Sequence, residues 1–181
     1  MVYVFLAEGF EELEALAPVD LLRRVDVEVA TVSLTDELMV QSSRGIFVKA
    51  DITLELVDFE ALEMLVVPGG LGGVNSIEST PAAMDLIHKV WKAEKLLAAI
   101  CAAPRLLAKL DLVKGLLLVC HPSVNNVLMN AGGIVQHNKQ VVFDGNLIKA
   151  KAAGSSIEFA LELVAIMRDT DTATDLRHAI T

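Results

Sequence analysis

A cysteine at a strand-to-helix junction, a run of carboxylates and one histidine are the residues here whose types and spacing suit chemistry. Cys101 lies in Ala98-Ala99-Ile100-Cys101-Ala102-Ala103-Pro104, between an apolar run (96–100) and a helix-forming stretch (105–110). A sulfur at such a junction sits near free backbone N–H groups of the helix start, which favours the nucleophilic thiolate. Small neighbours suit a sharp turn, as around the serine of a nucleophile elbow. Pro104 fits an early helical position, where its missing N–H goes unused. The other reading of this segment is a buried, inert thiol, since free cysteine is among the most buried residue types.

The carboxylates fall in Ala7-Glu8-Gly9-Phe10-Glu11-Glu12-Leu13-Glu14. Acids at a helix start are ordinarily explained by the dipole, which suffices for Glu11 and Glu12. Glu14 differs, because it precedes Ala15-Leu16-Ala17 on a helix whose apolar positions include Leu13, Leu16 and Leu21. A carboxyl on an inward face needs a partner or a proton. A nearby thiol would supply the partner, and a protonated Glu14 would shuttle a proton.

Pro68-Gly69-Gly70-Leu71-Gly72-Gly73 lacks both the Gly-Lys-Ser/Thr of a P-loop and the dinucleotide Gly-x-Gly-x-x-Gly. Its other use is an oxyanion hole, built from a turn N–H and that of Ala102. Of four histidines, His121 follows an apolar run (116–120) at the expected crevice. It reads as a general base or as a structural residue. His88 and His178 read as surface residues, and His137 lies by a charged turn.

The elements that must position these residues alternate. Strands are expected over 2–7, 27–34, 64–67, 96–100 and 116–120, and helices over 11–25, 81–94, 103–110, 123–131 and 154–168. Small hairpins are expected at 39–48 and 141–150, the second turning at Asp144-Gly145-Asn146. Residues 169–181 read as a polar tail. Apolar strands alternating with helices predict an α/β fold, a mostly parallel sheet covered on both faces. Its reactive crevice should lie at the carboxyl ends of strands, where the 8–14, 68–73 and Cys101 segments all fall.

At 181 residues, one domain over 1–181 is expected. A net charge of −9 without a basic stripe argues against nucleic acid as a partner. No apolar run approaches the ~18 residues of a membrane span, and no secretory signal is read at the N-terminus. Two cysteines make no disulfide framework, and no Cys/His cluster has zinc-site spacing, so a reducing cytoplasm is the expected setting.

Together these segments resemble the ThiJ/PfpI superfamily, and within it the parkinsonism-associated deglycase, or glyoxalase III-like, branch. The resemblance spans residues 2–168. It rests on Ala7–Glu14, Val67-Pro68-Gly69-Gly70, Ala98–Pro104 and His121-Pro122, with Ser43-Arg44 and Asp144–Ile148 in support. It implies a flavodoxin-like three-layer sandwich with a nucleophile elbow, and a homodimer. Carried onto this sequence, it makes Cys101 the nucleophile, Glu14 the protonated acid beside it, Gly70 and Ala102 the oxyanion donors, and His121 the neighbouring histidine. Arg24 and Arg44 match arginines at or near a dimer interface. The implied activity converts small 2-oxoaldehydes such as methylglyoxal and glyoxal to hydroxy acids, with protein deglycase activity in the same family and without cofactor or metal. An oxidative-stress sensor or chaperone using an oxidisable Cys101 is the alternative, and a peptidase a more distant one.

The sequence departs from the family pattern at Ala150-Lys151-Ala152-Ala153-Gly154-Ser155, where Ser-Arg-Gly-Pro-Gly-Thr is usual. Lysine does not replace arginine at a bidentate site, so pocket shape and substrate choice are open there. Val25-Asp26 stands where an Ala-Gly helix ending is expected.

Overall fold

A computed structural model describes residues 1–181. The chain runs β1 (Val2–Leu6), α1 (Glu12–Arg24), β2 (Val29–Ser33), β3 (Met39–Gln41), β4 (Phe47–Lys49), β5 (Ile52–Thr53), β6 (Met64–Val67), α2 (Leu71–Glu78), α3 (Pro81–Lys92) and β7 (Leu96–Ile100). It continues with α4 (Pro104–Lys109), β8 (Leu117–Leu118), α5 (Asn125–Asn130), β9 (Ile134–Val135), β10 (Val141–Asp144), β11 (Leu147–Ala150), α6 (Ser156–Met167) and α7 (Thr170–Ile180). Seven strands form one sheet in the order β10-β11-β7-β6-β1-β2-β5, parallel throughout except where β10 meets β11.

Strand β1 shows why the sheet is covered twice. Tyr3 and Phe5 point into one apolar layer, with Val74, Ile77 and Ile87 of α2 and α3, while Val2, Val4 and Leu6 point into the other, with Val19, Phe159 and Leu163 of α1 and α6. Each strand residue therefore meets a helix, which is why the run is apolar without alternation. This is the flavodoxin-like three-layer arrangement. No helix is long and apolar enough to cross a membrane.

The sequence expectations need correcting at several points. Residues 170–180 form α7, where a polar tail was expected. Asp169 caps it by accepting the Thr172 N–H at 2.7 Å, and Ala173 and Leu176 bury its inner face. The expected strand 116–120 shrinks to β8, which pairs only with β9 outside the main sheet. The Pro68–Gly73 segment is not all turn, because α2 begins at Leu71. The expected helix 123–131 opens as a 3₁₀ turn (Pro122–Val124) before α5, and β5 adds an edge strand with no sequence signal of its own. In the second hairpin only Gly145 takes a positive φ, since Asp144 stays in β10. Asp26 does hold the left-handed position of a helix ending, at φ 57°, a strain of about 1 kcal/mol for a side-chain-bearing residue.

Candidate active site

Strands β7, β6 and β1 are adjacent, so the segments that leave their carboxyl ends meet. Leaving β7, Cys101 adopts φ 65°, a conformation unusual for a residue with a side chain. Backbone bonds on both sides hold it there: its N–H donates to Ala150 O at 3.0 Å, and its carbonyl accepts the His121 N–H at 2.8 Å. Such strain persists only where the surroundings over-determine it, and it places the sulfur at the sheet crest.

Leaving β6, Gly69 makes room for the convergence. A Cβ there would lie 2.5 Å from Glu14 Oε2 and 2.7 Å from Cys101 Cβ, so any larger residue would drive the two apart. The Gly69 N–H donates to Glu14 Oε2 at 2.8 Å. Leaving β1, the chain enters α1 through Glu11, and Glu14 is fully buried on the first turn. Its other oxygen, Oε1, has no well-formed hydrogen bond. The thiol lies beside the carboxyl without satisfying that oxygen.

Burial pushes the Glu14 carboxyl up to about 7; the thiol and the N–H groups of Gly69 and Ala153 favour its ionised form, and the charge of Glu11 opposes it. Burial likewise pushes the Cys101 thiol up to about 12, reinforced by the charge of the adjacent Glu14, against the backbone N–H groups of Gly70 and Ala102. Burial and the neighbouring carboxylate thus work against the thiolate that the helix start and the Gly70 and Ala102 N–H groups favour. When Glu14 carries a proton its charge no longer opposes sulfur ionisation, so the two groups compete for one proton.

Cys101, Glu14, Gly70 and Ala102 line a cavity of about 610 Å³ that also takes in Glu11, Ser43, Arg44, Leu71, His121 and residues 152–154. The structure therefore brings Cys101, Glu14, Gly70, Ala102, His121 and Arg44 to one place. Arg24 lies elsewhere, exposed and paired with Asp20 at 2.9 Å. The Nδ1 atom of His121 accepts the Ser123 N–H at 3.2 Å and lies 2.8 Å from Ser123 Oγ. With Nδ1 accepting from Ser123, the proton of a neutral ring lies on Nε2. The altered 150–155 segment forms part of the wall through Ala152, Ala153 and Gly154.

Two residues escaped the sequence reading. Leu13, read as inward, is 59% exposed, and Glu12 is buried instead. Glu12 grips the turn after β3: Ser42 Oγ donates at 2.6 Å, Ser43 Oγ at 3.0 Å and the Arg44 N–H at 2.8 Å. Burial works against its charge, but these bonds together hold the Glu12 carboxyl below the usual range. The second is Lys149 on β11, fully buried with no partner for Nζ. Nothing in Leu147-Ile148-Lys149-Ala150 separates an inward lysine from an outward one.

A parallel α/β sheet whose crest carries a strained cysteine beside a buried carboxyl defines a class of elbow-cysteine proteins. The chain belongs to the DJ-1/PfpI family, whose profile matches residues 1–166. It is 38% identical over 160 residues to protein dj-1beta of Drosophila melanogaster, covering 88% of this chain and 85% of that one. The Parkinson disease protein 7 homolog of Danio rerio is 30% identical, with 96% and 93% covered. Among solved structures, Drosophila melanogaster DJ-1beta superposes with a TM-score of 0.94 at 33% identity, covering 99% of this chain and 96% of that one. Oxidised Toxoplasma gondii DJ-1 superposes at 0.91 with 29% identity and the same coverage.

Proposed function

We propose that this protein converts small 2-oxoaldehydes, methylglyoxal and glyoxal, to hydroxy acids without glutathione, and that it acts as a protein deglycase through the same thiol. The observation that carries this reading is the convergence of Cys101 and Glu14 across Gly69, in a cavity that Gly70 and Ala102 also line.

The reaction begins with Glu14 as its carboxylate, a form well populated near its value of about 7. Glu14 takes the thiol proton as the sulfur attacks the aldehyde carbon. The N–H groups of Gly70 and Ala102 hold the developing oxyanion, and Glu14 returns the thiol proton to it, giving the hemithioacetal and a free carboxylate. Glu14 then relays the C1 proton to C2 through an enediol, giving the thioester of the hydroxy acid. Water hydrolyses that thioester, releasing lactate from methylglyoxal or glycolate from glyoxal and restoring the thiol. His121 serves as a hydrogen-bond donor at the cavity rim.

The alternative is an oxidative-stress sensor or chaperone that uses the same thiol, since peroxide attacks a thiolate; selective oxidation of Cys101 by mild peroxide in a chain that leaves methylglyoxal untouched would favour it. Two free cysteines suit a reducing cytoplasm. The test is direct: the purified chain, given methylglyoxal and no glutathione, is expected to produce lactate, and failure to do so overturns the reading.

The working unit is a homodimer in this proposal. Leu13, Ile46 and Phe47 are each more than half exposed, and the Glu12 grip ties the turn preceding Ile46 and Phe47 to the helix that carries Leu13. Arg44 borders the same surface. Sedimentation equilibrium is expected to give twice the chain mass, and Phe47→Glu to give the monomer. A monomeric wild type would contradict it.

A further inference from the structure

We propose that Glu11 is a positioning residue, which fixes the Glu14 side chain opposite Cys101 and strengthens its hold on the proton that it exchanges with the sulfur. The inference rests on the proton-transfer role proposed for Glu14 and names what maintains it.

Three hydrogen bonds close a ring around the two carboxyls. The Glu11 N–H donates to Gly69 O at 3.1 Å, the Gly69 N–H donates to Glu14 Oε2 at 2.8 Å, and the Glu14 N–H donates to Glu11 Oε2 at 2.8 Å. Glu11 is thus the N-cap of α1, and its carboxylate is fixed within one turn of Glu14. Both residues line the same cavity. An ordinary cap needs only an oxygen, and serine or asparagine would serve. A carboxylate in this place adds a negative charge whose effect falls on the neighbouring buried acid.

Few groups face Glu14 from the packed elements. Cys101 does so from the end of β7, the Gly69 N–H from the end of β6, and the Ala153 N–H from the segment before α6. Arg44 and His121 border the same cavity from the turn after β3 and from the 3₁₀ turn. Two of the three N–H and thiol contacts are backbone donors that favour ionisation, and the Glu11 charge is what counters them alongside burial. Without it, Glu14 would ionise at lower pH, and the weaker base would take the thiol proton less readily.

The test uses Glu11→Gln and Glu11→Ser, which both keep an oxygen for the cap and remove the charge, and Glu11→Asp, which keeps the charge. The readout is the side-chain carboxyl ¹³C titration of Glu14 in the full chain, its resonance assigned by loss in Glu14→Gln. The neutral variants are expected to lower the Glu14 midpoint by about half a pH unit or more, with Glu11→Asp staying close to wild type. The acid limb of the turnover profile should move down with it. An unchanged midpoint in both neutral variants overturns the proposal, even if turnover is robust. A lowered midpoint in a chain that never consumes methylglyoxal would uphold the Glu11 effect while removing the reaction it serves.

Discussion

Replacing Glu14 with glutamine is expected to cut glutathione-free methylglyoxal turnover by about 10²–10⁴-fold while making Cys101 easier to ionise. The two effects run in opposite directions, which is what makes the variant informative. Glutamine keeps a carbonyl for the Gly69 N–H, so the crest should retain its shape. It removes the Glu14 charge, second only to burial among the influences that hold the thiol up near 12. Thiolate absorbance should therefore appear at lower pH than in the wild type. If a standing thiolate were all that catalysis required, Glu14→Gln would be faster. If the carboxyl moves the proton, it is slower despite the better nucleophile. Turnover within about tenfold of wild type would show that Glu14 is not the proton carrier.

The largest expected stability change lies away from the cavity. Lys149 is fully buried, its Nζ lacks a partner, and burial pushes it down to about 8, with Asp144 acting weakly the other way. Unfolded, the same amine titrates at the ordinary lysine value of 10.5. Between those values the folded chain holds a neutral amine while the unfolded chain holds a charged one. Stability therefore rises as pH climbs through this window, and it is lower below about 8, where the folded state must carry a buried ammonium. The penalty corresponds to roughly 3 kcal/mol at neutral pH. Lys149→Met offers a chain of similar length with no charge to desolvate. It should raise stability by about 2–3 kcal/mol at pH 7, or Tm by roughly 5–10 °C, and the gain should shrink toward about pH 10. Urea and thermal unfolding at both pH values check this. A variant no more stable than wild type at pH 7 would mean that the amine is satisfied in the folded chain.

How much was legible in the sequence depended on whether the cause was local. The elbow at Cys101 could be read because an apolar run, small residues and Pro104 are contiguous. The same holds for the apolar strands, whose unbroken hydrophobicity announces helices on both faces. Glu14 could be read as an inward carboxyl, yet the face assigned to Leu13 was wrong. The first turn of α1 packs against the turn after β3, and Glu12 rather than Leu13 fills that contact through Ser42, Ser43 and Arg44. Those partners lie some thirty residues away and leave no mark in helical periodicity. The surroundings of Cys101 were half legible for a related reason: sequence shows the helix start, but not the depth of burial that opposes it. Helix α7 was missed because only Ala173 and Leu176 are buried along it.

The sulfur of Cys101 carries the proposed chemistry. Wild-type chain and Cys101→Ala, compared at equal concentration with methylglyoxal and no thiol additive, should differ completely: lactate accumulates with the first, and with the second only at the rate seen without protein. Lactate formed by Cys101→Ala at the wild-type rate would contradict the account.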